Sequence, residues 1–350
     1  MTAPTAVASD SPTLDLARRL PKVLLHEHLD GGLRVATLLD LLQQRRLPSP
    51  ASDVAALGAW FEANAHAGSL ERYLDGFALT VAAMADPAAL RRVAFEAAED
   101  ARADGAVLAE FRIAPLLFEA HGIAGEAAVE ALLQGLRDSA LPSGLIVCAM
   151  RHLPPEQTER AARLALRYQH RGVVGFDLAG PEAGFPAGDH ARALHELGDA
   201  GLPLTLHAGE ADSAQRVLEA ARLGARRIGH GVRLVDALHH PAQRHLVDEA
   251  LALDLHLEVC PTSNVHTGAA PSITRHPITE LWRAGLSLSY HTDNRLISCI
   301  GHSQEAAALL RDTALTVADL VEMARQAARH SFLPAATREA ALREIDRAVF

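Results

Sequence analysis

Short apolar runs recur along the chain, each followed by a longer Ala/Leu/Arg-rich stretch of mixed polarity. The runs fall at 22–29 (KVLLHEHL), 106–114 (AVLAEFRIA), 143–150 (SGLIVCAM), 173–179 (VVGFDLA), 203–208 (PLTLHA), 226–232 (RRIGHGV), 256–261 (HLEVCP) and 286–293 (LSLSYHTD). Most are bounded by Gly, Pro, Asn or Asp, and together they predict eight buried strands. The stretches between, such as 87–104 and 157–170, place apolar residues three and four apart, the spacing of an amphipathic helix. Strand and helix alternate throughout, which predicts parallel strands joined by right-handed crossovers. Eight such units in one chain favour a closed barrel over an open sheet, an α/β fold of the (β/α)8 TIM type. The longest departure, about 35–90, reads as two or three helices inserted after the first strand and set above the strand ends as a lid. The expected organisation is a tail and lead-in over 1–20, its first ten or so residues disordered, then a single barrel domain over 21–350.

Composition narrows the picture. The chain has 350 residues, 49% of them hydrophobic, enough for a large core. Length alone would allow two domains, but α/β barrels of this size commonly form one. Aromatics are only 4%, so Ala, Leu and Val must fill the core. A net charge of −10 argues against a nucleic-acid backbone or an anionic membrane as partner. No apolar run reaches the roughly 20 residues of a membrane helix, and the N-terminus lacks a signal-peptide core. Cys148, Cys260 and Cys299 form no CxxC pair, so a disulfide framework is not expected and a reducing cytoplasm is. Lys22 is the only lysine. A genome bias toward arginine accounts for this, yet it still confines any Schiff-base or metal-bridging lysine to that one position.

The chemistry sits where the predicted strands end. LHEHLDG carries His26 and His28, LHAGE carries His207 and Glu210, IGHG carries His230, and HTDN carries Asp293. His26 and His28 are two apart on a strand, so both face one way and Glu27 the other. Three imidazoles and one carboxylate can hold one zinc-like ion and leave a position for water, which points to metal-assisted hydrolysis. Iron, cobalt or manganese would suit the same ligands. Glu210 and His230 remain beside this set as an acid/base pair, His230 between two glycines that permit close approach. Taken singly, each residue reads equally well as a satisfied buried polar group. It is the joint placement on one barrel rim, the face where such barrels carry their active sites, that gives them meaning. Trp60 and Phe61 in the insertion read as core packing before a substrate lid. His291 reads as one layer deeper in the barrel, Glu258 and Asn264 as pocket-shaping residues, and Cys260 as a small buried apolar group.

In this order HEHLDGG, FDLAG, LHAGE, RIGHG, EVCPTSN and HTDN resemble the adenosine deaminase family of metal-dependent barrel hydrolases, from about Lys22 to about Phe332. SLERYLDGF at 69–77 also resembles a segment of that family's inserted helices. The resemblance implies hydrolytic deamination of adenosine or 2′-deoxyadenosine to inosine and ammonia, with one zinc ion per subunit. It implies metal ligation by His26, His28, His207 and Asp293. Glu210 would protonate the ring nitrogen beside the attacked carbon, and His230 would orient or deprotonate the attacking water. Substrate contacts would come from His28, Asp30 at the ribose end, the Gly180 N–H at the purine ring, and Asn294. Asn294 stands where the family pattern has a second aspartate; its amide can donate at any pH, so a purine still fits. The chief alternative is another 6-aminopurine, namely aminodeoxyfutalosine, adenine or a modified adenosine. A two-metal barrel hydrolase would want a lysine in the fourth strand, which VVGFDLAG lacks. The HxE…PCxxC signature of cytidine-deaminase-type sites is absent.

Overall fold

The strands are β1 (Lys22–His28), β2 (Ala106–Ile113), β3 (Ser143–Met150), β4 (Val173–Ala179), β5 (Leu204–Ala208), β6 (Ala225–His230), β7 (His256–Val259) and β8 (Ser287–Tyr290). In this computed structural model, which describes residues 12–66 and 70–348 without the side chains of 70–75, they pair in sequence order and all in parallel. The ring closes through the link after β8: the His28 N–H donates to Asp293 O at 2.7 Å and the Asp293 N–H to His26 O at 3.0 Å. The result is the (β/α)8 barrel that the alternation of runs predicts. Residues 1–11, Ser69 and the side chains of 70–75 lie outside the described residues, and with them the disorder expected of the first ten or so residues and most of the SLERYLDGF segment; the rest of the lead-in forms the helix Pro12–Arg19.

All eight runs become strands, but the last two are shorter than the runs. β7 stops at Val259 because Pro261 opens the helix Pro261–His266 and has no N–H for the ladder. β8 stops at Tyr290, so Asp293 lies three residues beyond the strand, in the closing link rather than at a strand end.

Between β1 and β2 come four helices, Val35–Gln44, Val54–Ala65, Leu70–Met84 and Pro87–Ala103. Asp86 caps the last, accepting from the Ala88 and Ala89 N–H groups at 2.9 and 3.1 Å, with Pro87 in the first turn. Phe61 is buried and Trp60 half-buried, packed edge to face at 4.9 Å. A Cβ at Gly76 would meet Ile297 Cδ1 at 2.6 Å and Phe61 Cε1 at 3.1 Å, so it is Gly76 that lets the insertion close on the loop after β8, with Phe61 beside it. No helix among the described residues is long and apolar enough to cross a membrane.

Ala, Leu and Val dominate the core, but the barrel interior is charged. Arg112 donates to Asp177 at 2.8 Å, to Glu258 at 2.5 Å and to Leu25 O at 2.6 Å. Arg227 reaches the other Glu258 oxygen at 2.6 Å and Glu110 at 2.7 Å, with its guanidinium over the Phe332 ring. All five charged side chains are fully buried. Such groups are tolerable only when paired and hydrogen-bonded. His291 lies in this layer, accepting from the Leu25 N–H at 3.2 Å and bonded to Ser289 at 2.7 Å.

Candidate active site

Strand alternation turns His26 and His28 into the barrel and Glu27 outward, where it meets Thr292 at 2.8 Å and Arg295 at 3.4 Å. His207 arrives from β5 and Asp293 from the closing link. His26 Nε2 lies 3.3 Å from Asp293 Oδ1, and His28 Nε2 lies 3.6 Å from that oxygen and 3.3 Å from His207 Nε2. Behind them, His26 Nδ1 donates to Glu258 at 3.0 Å and His207 Nδ1 to Asp177 at 3.0 Å. Ser263 donates to the second Asp293 oxygen at 2.6 Å. Burial pushes the Glu258 carboxyl up, but Arg112 and Arg227 outweigh it and hold the group well below the usual carboxylate range.

This donor set fits a divalent cation. Acceptor-only carboxylates take the Nδ1 protons of His26 and His207, which leaves the Nε2 lone pair of His26 toward Asp293 and that of His207 toward His28 Nε2. His26 Nε2 is buried with no hydrogen-bond partner among the described residues. Nitrogen and oxygen donors with carboxylates behind the imidazoles are what zinc-type sites use.

His230 completes the convergence: one donor atom each of His26, His207, His230 and Asp293 falls within 4.8 Å of the others. Its Nε2 is 3.5 Å from Glu210 Oε2. Gly229 makes room, since a Cβ there would sit 3.0 Å from His26 Cε1. His230 and Asp293 are both left-handed, at φ +65° and +59°, a strain on the order of 1–3 kcal/mol each that clusters at functional positions. Glu210 is held from three sides. Thr267 and Asn264 donate to Oε1 at 2.8 and 3.3 Å. Arg233 donates to its carbonyl at 3.2 Å. The Glu182 carboxylate accepts from the N–H groups of residues 209–212 at 2.6–3.1 Å.

The residues expected at the substrate border the same rim. Asp30 follows β1 in a short 3-10 turn; its Oδ1 is buried without a hydrogen-bond partner among the described residues, and burial raises its carboxyl to about 7. Asn294 packs on Gly31, where a Cβ would lie 2.2 Å from Asn294 Oδ1. Gly180 directly follows β4 at φ +95°, facing Met150 and His152.

Residues 21–348 match the family model described as adenosine deaminase. The chain belongs to the adenosine deaminase family. An adenosine deaminase from Mycobacterium tuberculosis is 42% identical over 351 residues, covering 96% of each chain. One from Mycobacterium ulcerans is 41% identical over 341 residues, 93% of this chain and 94% of its own. Among solved structures, the N6-mAMP deaminase from Arabidopsis superposes with a TM-score of 0.82 at 25% identity, covering 95% of this chain and all of its own. An adenine deaminase from Arthrobacter aurescens superposes at 0.84 with 24% identity over 93% of this chain and 98% of its own, a likeness of fold. As a member of the adenosine deaminase family, the protein is an aminohydrolase.

Several residues around this family's site receive no role, or a different one, from the sequence reading. Asp177 and Glu258 stand behind His207 and His26, and both are carboxylates inside buried strands, a signal that the sequence does carry. Glu182, Ser263, Thr267 and His276 carry no such signal.

Proposed function

We propose that this aminohydrolase converts adenosine or 2′-deoxyadenosine and water to inosine or 2′-deoxyinosine and ammonia, with one zinc ion held by His26, His28, His207 and Asp293. The convergence of those four groups beside Glu210 and His230 carries this reading, and relatives named adenosine deaminase support it. A divalent ion bound there supplies Lewis acidity that makes water a nucleophile near neutral pH. Glu210 delivers a proton to the ring nitrogen next to C6, so that attack on C6 need not build negative charge on the ring. Two donors occupy Oε1, which leaves Oε2 to carry that proton. His230 orients or deprotonates the attacking water. The Gly180 N–H and the Asn294 amide address the purine, with His28 at its edge. The orphaned Asp30 oxygen accepts from a ribose hydroxyl.

Asp30 also bears on the choice among 6-aminopurines. A buried carboxyl group with no partner of its own matches a neutral hydroxyl and offers nothing to neutralise a phosphate, so a nucleoside fits better than a nucleotide. The three free cysteines suit a cytoplasmic setting, and residues 21–350 form one hydrolase unit on this reading.

The test is an ultraviolet absorbance assay of the zinc-loaded protein with adenosine, 2′-deoxyadenosine, adenine, AMP and N6-methyl-AMP. Adenosine should exceed AMP by at least about 100-fold in kcat/KM, the order of loss expected when a buried site for a neutral hydroxyl must take an unpaired phosphate. A preference for AMP or adenine would overturn the nucleoside reading. Glu210→Gln should retain its metal and lose roughly 10²–10⁴-fold in turnover. Near-normal turnover would remove Glu210 from its role.

A further inference from the structure

Five side chains crowd a centre that needs four ligands, and the hydrogen bonds behind each ring separate them. His26 and His207 present Nδ1 to carboxylates, which can only accept, so their protons lie on Nδ1 and their Nε2 lone pairs face inward. His230 presents Nδ1 to Asn264 instead, with the side-chain Nδ2 at 3.0 Å. Which end of that amide faces His230 decides where the His230 proton lies.

The orientation is settled by a backbone group. The Ile278 N–H can only donate, and it donates to His276 Nδ1 at 3.1 Å. A ring nitrogen that accepts carries no proton, so the single proton of the His276 ring lies on Nε2. That N–H donates to Asn264 Oδ1 at 3.3 Å. The Asn264 NH2 therefore points the other way, with one hydrogen for His230 Nδ1 and one for Glu210 Oε1 at 3.3 Å. His230 Nδ1 accepts, and the proton of the neutral ring lies on Nε2.

We infer that Asn264, oriented by His276, is a positioning residue that fixes His230 as the Nε2–H tautomer. A protonated nitrogen has no lone pair for a metal, so His230 stays outside the ligand set, and His26, His28, His207 and Asp293 remain. His230 thus presents a proton, not a base, to whatever lies between it and the metal centre. The assignment of the proton stands on geometry alone; only its kinetic consequence rests on the deaminase reading above.

The test uses full-length, zinc-loaded protein labelled with 15N in its histidine rings. Long-range proton–nitrogen correlation spectra locate the ring proton, and His230→Gln assigns the signal by its loss. The native enzyme should show His230 protonated at Nε2 and bare at Nδ1. Asn264→Asp puts an acceptor-only group behind the ring and should move the proton to Nδ1. Turnover should fall roughly 100-fold, with KM changed less than about 3-fold and zinc content unchanged. A general packing defect would lower zinc content and raise KM together. A bare Nε2 in the native enzyme would overturn the inference, as would an Asn264→Asp variant that keeps both the native tautomer and native turnover. An Nε2–H ring in a protein that deaminates no 6-aminopurine would support the inference and remove the deaminase reading.

Discussion

Glu182 fixes Glu210 by holding the backbone on both sides of it. Its two oxygens accept from four successive N–H groups at 209–212, an arrangement in which only an ionised acceptor satisfies every donor. Glu182→Gln replaces one acceptor with a donor facing those donors. The loop must then shift, and displacement of a reacting group by about 1 Å is worth on the order of 10²-fold. Steady-state kinetics should show a loss of that order in kcat, with zinc content unchanged; native kcat would show that the loop holds its place without the carboxylate. At this scale the sequence is legible where a residue brings its own chemistry. His26, His28, His207, Glu210, His230 and Asp293 can be picked out because imidazoles and carboxylates gather at the ends of apolar runs. Thr267 and Glu182 cannot be found that way. A threonine 57 residues from Glu210 acquires its meaning only when folding brings the two together, and Glu182 lies in a loop where an acidic residue is unremarkable by pattern.

Elements are more legible in the sequence than their ends. Eight runs became eight strands because a strand buried on both faces must be apolar throughout. The ends of β7 and β8 are not legible because the residues past them are as buried as the strands themselves: Cys260 and His291 are fully covered and lie outside the strands, although the His291 N–H still donates to Val259 O at 2.8 Å. A buried acid shows how tightly helices clasp these ends. Glu305, on the helix His302–Asp312, accepts from the Thr262 N–H at 2.8 Å just past β7, and burial raises its carboxyl from 4.5 to about 7. The native chain keeps this proton through a range in which the unfolded chain has lost it. Between about 4.5 and 7 the native state therefore binds more protons, and stability falls as pH rises. Glu305→Gln keeps the acceptor and cannot ionise. Urea unfolding should show the variant gaining on the native protein between pH 4.5 and 8, by up to ~3 kcal/mol. An unchanged difference across that range would show that Glu305 ionises normally.

For the whole molecule, the charged barrel interior and the candidate metal centre form one construction. Arg112 bridges Asp177 and Glu258, and those two carboxylates back His207 and His26. A ligand that binds only the native state adds stability in proportion to the logarithm of its concentration over Kd. Removing zinc with a chelator should therefore lower the melting temperature, and restoring zinc should recover it. The ring of strands is also thinnest where it meets this centre, since β8 and β1 are joined through Asp293 and the amides of His28 and Asp293. Hydrogen exchange at those two amides should quicken at least about 10-fold on chelation while β3 amides stay protected; equal rates with and without metal would show that the junction holds unaided. A barrel owes its freedom from sticky edges to being closed. If one aspartate both grips the ion and shuts the ring, the ion also guards against self-association, and a zinc-starved chain offers β1 and β8 as open borders to its neighbours.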